Sequence, residues 1–246
     1  MPGPDRFVAG VDGCRAGWIV ALRRRDDATT TTVQLCATFA DILALPEAPL
    51  MIAIDIPIGL AERAGVGGRA ADIEARSRLG ARQSAVFAMP ARAAVMATDY
   101  RRACDIALAT SDPPRKVSKQ AFYLFPKIRE VDAVMTPALQ DRVVECHPEL
   151  AFWALNGEQP LALPKKVRSQ AHAAGLELRR GLLAAAGYRR EFLDARPFKA
   201  SEAGADDLLD AMANSWSAAR IARGQGRRFP LDPVRDTRGL RMEIWG

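Results

Sequence analysis

The chain has no paired cysteine motif. Cys14, Cys36, Cys104 and Cys146 are its only four cysteines, and none sits in a CxxC pair. That removes the usual ligand spacing of a structural zinc site and any disulfide framework, so four buried reduced thiols are expected. Histidine is nearly missing, with two in 246 residues. No apolar run is long enough to cross a bilayer, which argues against a membrane partner. Met1 to Arg6 carry no apolar segment of the secretory kind, so a cytoplasmic location is expected. No internal repeat, low-complexity tract or interdomain linker is found, and residues 1–246 read as a single domain.

What is present is the balance of a globular protein, 49% hydrophobic and 26% charged. The length suits one large domain or a core with a sizeable insertion. The formal net charge is +6. Residues 61–120 hold 11 Lys/Arg against 6 Asp/Glu, a local excess that suits a solvated helical surface as well as a nucleic-acid partner.

Phe7 to Asp12 reads as a strand, Asp12-Gly13 as the start of a turn, and Trp18 to Leu22 as a second strand, together a hairpin. Thr30 to Thr38 fits a third strand. Phe39 to Leu45 has helical spacing, closed by Pro46 and Pro49. Leu50 to Ile56 is almost continuously apolar, the pattern of a strand buried on both faces, and Pro57 should end its pairing. About 61–120 reads as a helical insertion, with helical spacing at Ala71 to Leu79 and Ala91 to Ala109. Gln120 to Met135 reads as a helix that Pro126 must kink or start. Arg142 to Cys146 reads as a late strand, Ala151 to Leu155 as a short helix and Gln170 to Ala186 as an amphipathic helix ending near Gly187. Ala205 to Arg223 is the clearest helix. A meander followed by alternating strands and helices predicts a mixed sheet covered by helices.

Carboxylates carry the candidate chemistry. Asp12 ends an apolar strand, and as half of an Asp-Gly pair it also suits a plain turn. Asp55 lies inside Met51-Ile52-Ala53-Ile54-Asp55-Ile56, where an unpartnered charge costs several kcal/mol, roughly, so a pair, hydrogen bonds or a metal is expected. Asp206 and Asp207 open the last helix, where acids cap and offset the dipole. Asp210 shares a face with Asp207 and is less well explained by capping. Glu145 faces either the site or solvent, and His147, before a proline, reads first as structural. Strand-end aspartates plus a helix pair offer Mg²⁺ or Mn²⁺ the oxygen ligands those ions prefer.

Several segments resemble a known family. Val8-Ala9-Gly10-Val11-Asp12-Gly13-Cys14-Arg15-Ala16-Gly17-Trp18 resembles the opening of the bacterial family called domain of unknown function 429. Ile54-Asp55-Ile56-Pro57-Ile58-Gly59-Leu60 resembles its second motif, and Arg76 to Arg82 followed by Ser84-Ala85-Val86-Phe87 its third. Glu145-Cys146-His147-Pro148-Glu149 and Asp206-Asp207-Leu208-Leu209-Asp210-Ala211 resemble its later ones. Ala16 stands where the family often has Gly, and Cys146 where an apolar residue is common. The resemblance implies an α/β, ribonuclease H-like fold and a nuclease activity. Its five-stranded sheet would set the first and fourth strands side by side, bringing Asp12 to Asp55. A late helix would add Asp207 and Asp210, similar to the acids of Holliday-junction resolvases.

The leading expectation is metal-dependent phosphodiester hydrolysis. Asp12, Asp55, Asp207 and Asp210 would bind Mg²⁺ or Mn²⁺, and Glu145 would act as an auxiliary ligand or base. Arg15, Arg76, Arg82 and Lys119 would meet substrate phosphates. Two readings compete. One is ATP-linked phosphoryl transfer, which normally needs a second phosphate loop that is not found here. The other is a non-catalytic, homo-oligomeric binding or scaffold protein on the same fold.

Overall fold

The computed structural model describes residues 7–168 and 170–246. The signal-free reading of Met1 to Arg6 therefore lies outside the described residues. A five-stranded mixed sheet forms the centre, in the order β3-β2-β1-β4-β5. Its strands are β1 (Phe7–Cys14), β2 (Gly17–Arg24), β3 (Asp27–Cys36), β4 (Met51–Ile54) and β5 (Val143–Glu145). β1, β2 and β3 form an antiparallel meander, while β4 runs parallel to β1 and β5 parallel to β4.

The first hairpin is longer than the Asp12-Gly13 turn expected from the sequence. Asp12 pairs with Ile19 and Gly13 with Trp18, so both stay in the ladder. The reversal falls instead at Arg15 and Ala16. Gly17 then takes φ +122°, with neighbouring carbonyl oxygens where a Cβ would sit.

Side chains alternate across the sheet. Ala9, Val11, Ile52, Ile54 and Val143 face one layer, built of α1 (Phe39–Leu43), α3 (Arg92–Met96), α4 (Tyr100–Thr110) and α5 (Lys119–Val134). Val8, Met51, Ala53 and Val144 face the other, where α9 (Ala205–Ile221) lies, and Ile19 and Ala21 of β2 face α9 too. α6 (Pro148–Leu155) and α7 (Ala173–Ala185) complete that layer. Burying each such aliphatic side chain contributes on the order of 2 kcal/mol. α9 crosses β1 at Gly10, where a Cβ would fall 1.9 Å from the Ser215 amide nitrogen and 2.1 Å from the Ala211 carbonyl oxygen. Only a residue without a side chain admits that approach.

Helices between β4 and β5 run past residue 120, through α5 and a 3₁₀ turn at Leu139–Asp141, so the segment is longer than the expected insertion. It also includes α2 (Ala70–Arg78). The stretch Ala91 to Ala109 is two helices, not one, because Asp99 caps a new start by accepting from the Arg102 N–H at 2.9 Å. Pro126 lies inside a continuous α5. The helix expected from Gln170 starts at Ala173. Gln170–Ala171 form β7 against β6 (Lys166–Val167), and His172 caps α7 by accepting from the Gly175 N–H. Between α7 and α9 lies α8 (Arg190–Asp194). A C-terminal β8 (Arg228–Phe229) and β9 (Ile244–Trp245) form a small ribbon. No helix among the described residues is long and apolar enough to cross a membrane.

Candidate carboxylate site

The sheet's alternation builds the site. Val11 and Ile54 are the last aligned pair of β1 and β4, and both point away from α9. The next residues, Asp12 and Asp55, therefore point toward α9, and the Asp55 N–H donates to the Val11 carbonyl at 3.0 Å. The Gly10 contact presses the first turns of α9 onto this edge, and Asn214 Nδ2 donates to the same Val11 carbonyl at 3.0 Å. Asp210, one turn before Asn214, thereby reaches the two strand-end aspartates. Asp12, Asp55, Asp206, Asp207 and Asp210 all line one cleft of about 450 Å³.

The cleft's electrostatics are those of crowded like charges. Burial, then the Asp55 and Asp210 carboxylates, holds Asp12 well above the usual carboxylate range. Burial likewise raises Asp55, against the pull of His147 and Lys165. Asp210 is pushed up to about 6, by burial first, although Lys165 opposes the shift. Lys165, just before β6, places its ammonium on Asp210 Oδ2. Burial alone would lower the Lys165 pKa, but Asp210, Asp12 and Asp55 outweigh it and hold the group protonated. Lys166 pairs with Asp206 at 2.5 Å.

The other expected site residues divide. Asp207 lines the cleft, but its Oδ2 accepts from the Gly204 N–H at 2.8 Å, capping α9. Glu145 aligns with Ile54, one alternation out of phase with Asp55, and lines the same cleft from its other wall. There Arg69 grips both its oxygens, at 2.6 and 2.8 Å, and the Ile58 N–H donates to it at 2.7 Å. Arg69 also holds Asp72 at 2.7 Å, so Glu145 anchors the start of the helical segment to the sheet. His147 caps α6, its Nδ1 accepting from the Glu149 N–H, and its ring lies against the cleft.

Of the four cations expected to meet substrate, none lines this cleft. Arg15 donates to the Ala200 carbonyl, and Arg76 to the Val86 and Gly67 carbonyls. Arg82 lies in the 3₁₀ turn Gly80–Ala85, and Lys119 opens α5. The cations that do line it are Lys127, Lys165, Lys166 and Arg69. Lys165 and Lys166 escaped sequence reading because β6, the two-residue strand at which they lie, has no period to detect and their partners lie 45 and 40 residues further on. Glu149 was also missed. It is buried, and Arg179 holds its Oε1 at 2.5 Å.

Among the described residues, no three His, Cys, Asp or Glu side chains are gathered into a metal cage. The donor set nonetheless suits a hard divalent ion, being all carboxylate oxygen. Asp210 Oδ1 is buried without any hydrogen-bond partner, the condition expected of a ligand atom awaiting a cation. The Lys165 ammonium occupies the charge-neutralising role in its place.

Neither the curated proteins nor the solved structures contain a significant match to this chain. The family model described as "Protein of unknown function (DUF429)" matches residues 10–235, and the chain belongs to that family.

Proposed function

We propose that the protein is a divalent-metal-dependent phosphodiesterase acting on nucleic acid, built on a ribonuclease H-like sheet. The sheet order and the parallel β1–β4 pair support that fold reading. The observation that carries the activity is the meeting of Asp12, Asp55 and Asp210 from two strand ends and a helix, with Asp210 Oδ1 lacking a partner. These three would hold Mg²⁺ or Mn²⁺, which when bound supplies an activated water and stabilises charge on the leaving oxygen.

The remaining groups have roles set by their places. Lys165 keeps the cluster neutral enough to fold and would release Asp210 if a divalent ion were held there. Lys127 and Lys166 add positive charge to the walls, where a phosphate would lie. His147, with Nδ1 engaged by the Glu149 N–H, places Nε2 3.3 Å from the Ala85 carbonyl and stiffens the wall beside Asp55.

Mn²⁺ titration calorimetry with a cleavage assay on labelled oligonucleotides tests this. Binding and cleavage are expected in the natural protein and their loss in a folded Asp12→Asn variant. One observation favours a non-catalytic binding protein instead: the lysine already neutralises the acids. A natural protein that binds no Mn²⁺ would establish that reading.

A further inference from the structure

We infer that the cleft is fed by a platform for single-stranded polynucleotide, running along α5 from a second pocket to the carboxylates. Three observations converge on it. First, Lys119, Tyr123 and Lys127 recur every four residues and so share one face of α5. The stripe is roughly 12 Å long, about the length of three stacked nucleotides. Its far end abuts the acidic centre, because Lys127 packs against Gly13, the neighbour of Asp12. Lys127 is fixed there by donating to the Gly17 carbonyl and lying 4.2 Å from the Trp18 ring centroid.

Second, Tyr123 is 74% exposed and lines the cleft. Every other aromatic ring among the described residues is buried or half-buried. A ring left in water beside a charged cleft is what an unpaired base stacks on, and a duplex, whose bases are already stacked, cannot use it.

Third, a pocket of about 210 Å³ adjoins the cleft and shares Phe87 and Met89 with it. Arg115 and Lys116 line its other side. The Arg115, Lys116 and Lys119 side chains form no ion pair among the described residues, whereas Arg92 and Arg179 are held by carboxylates. Apolar walls beside unpaired cations suit a base with its phosphate. The strand would thus lie with phosphates on Lys116 and Lys119, a base on Tyr123, and the next phosphodiester toward Asp12.

This assignment deepens the phosphodiesterase reading and rests on it for the fate of the bound strand. The test is therefore binding without cleavage. Fluorescence anisotropy of a labelled 12-nucleotide single strand and the matching 12-base-pair duplex is measured in EDTA at several salt concentrations. The single strand is expected to bind at least tenfold tighter than the duplex. Tyr123→Ala should weaken single-strand binding by roughly tenfold, the loss of one base stack, while Tyr123→Phe should retain it. Lys119→Gln should lower the salt slope by about one. Both positions are exposed, and circular dichroism verifies their folding. Equal affinity for strand and duplex, or an unchanged Tyr123→Ala, overturns the platform. Strand binding without Mn²⁺-dependent cleavage overturns only the activity. Cleavage of a small phosphodiester such as bis-p-nitrophenyl phosphate without strand binding overturns only the substrate class.

Discussion

Lys165 holds Asp210 by one oxygen and leaves the other, Oδ1, buried and unpartnered. A monovalent side chain thus satisfies the charge of the acidic centre incompletely, and it sits on a hairpin remote in sequence from every acid it serves.

Replacing that lysine separates its two effects. Lys165→Met is expected to lower metal-free stability by on the order of 3 kcal/mol, since buried carboxylates lose their cation. The same variant should bind Mn²⁺ more tightly, because no ammonium competes. Thermal unfolding with and without Mn²⁺, paired with calorimetry, reads both.

Asp12→Asn should act in the opposite sense on stability. It removes one of the like charges that strain the cluster, so the metal-free melting temperature should rise by roughly 2–4 °C per kcal/mol relieved. Stabilisation by Mn²⁺ should vanish in the same variant, which differential scanning fluorimetry would record.

The pH dependence has a defined sign. Asp210 is raised to about 6 from its ordinary 3.8, and Asp12 and Asp55 are raised as well. The folded state therefore holds these protons more tightly than the unfolded chain. The Asp210 contribution to stability is complete below about pH 4 and is lost as pH rises through about 6, with Asp12 and Asp55 acting in the same direction. In EDTA the melting temperature should fall across that window, relative to an Asp210→Asn variant. Saturating Mn²⁺ should remove the difference.

Arg69→Ala should cost about 3–5 kcal/mol, since it strands the buried Glu145 and Asp72 carboxylates together. Glu145→Gln should cost less and should leave Mn²⁺ affinity unchanged, because both Glu145 oxygens are already taken by Arg69. Chemical denaturation and calorimetry on the two variants check the pair.

How much of this was legible in the sequence follows from the range of the interactions. The apolar run at Met51–Ile54 marked a strand with both faces covered, and Asp55 stood out because a charge there needs a partner. Asp210 stood out because it lies beyond the capping turn of α9. Short elements resisted reading: a two-residue ribbon such as β6–β7 has no period to detect. Glu145 was ambiguous because a three-residue strand does not reveal its phase, and its partner Arg69 lies 76 residues away. Asp-Gly at 12–13 suggested a turn on local chemistry alone, whereas the ladder with Ile19 and Trp18 kept both residues extended.

The bare α-carbon at Gly10 has an evolutionary corollary. With main chain resting on main chain at that crossing, the offset between helix and sheet is set by atoms that no mutation elsewhere can resize. Aliphatic residues around it are free to drift in size and shape while the three acids keep their spacing, whereas a single methyl at position 10 would pry them apart.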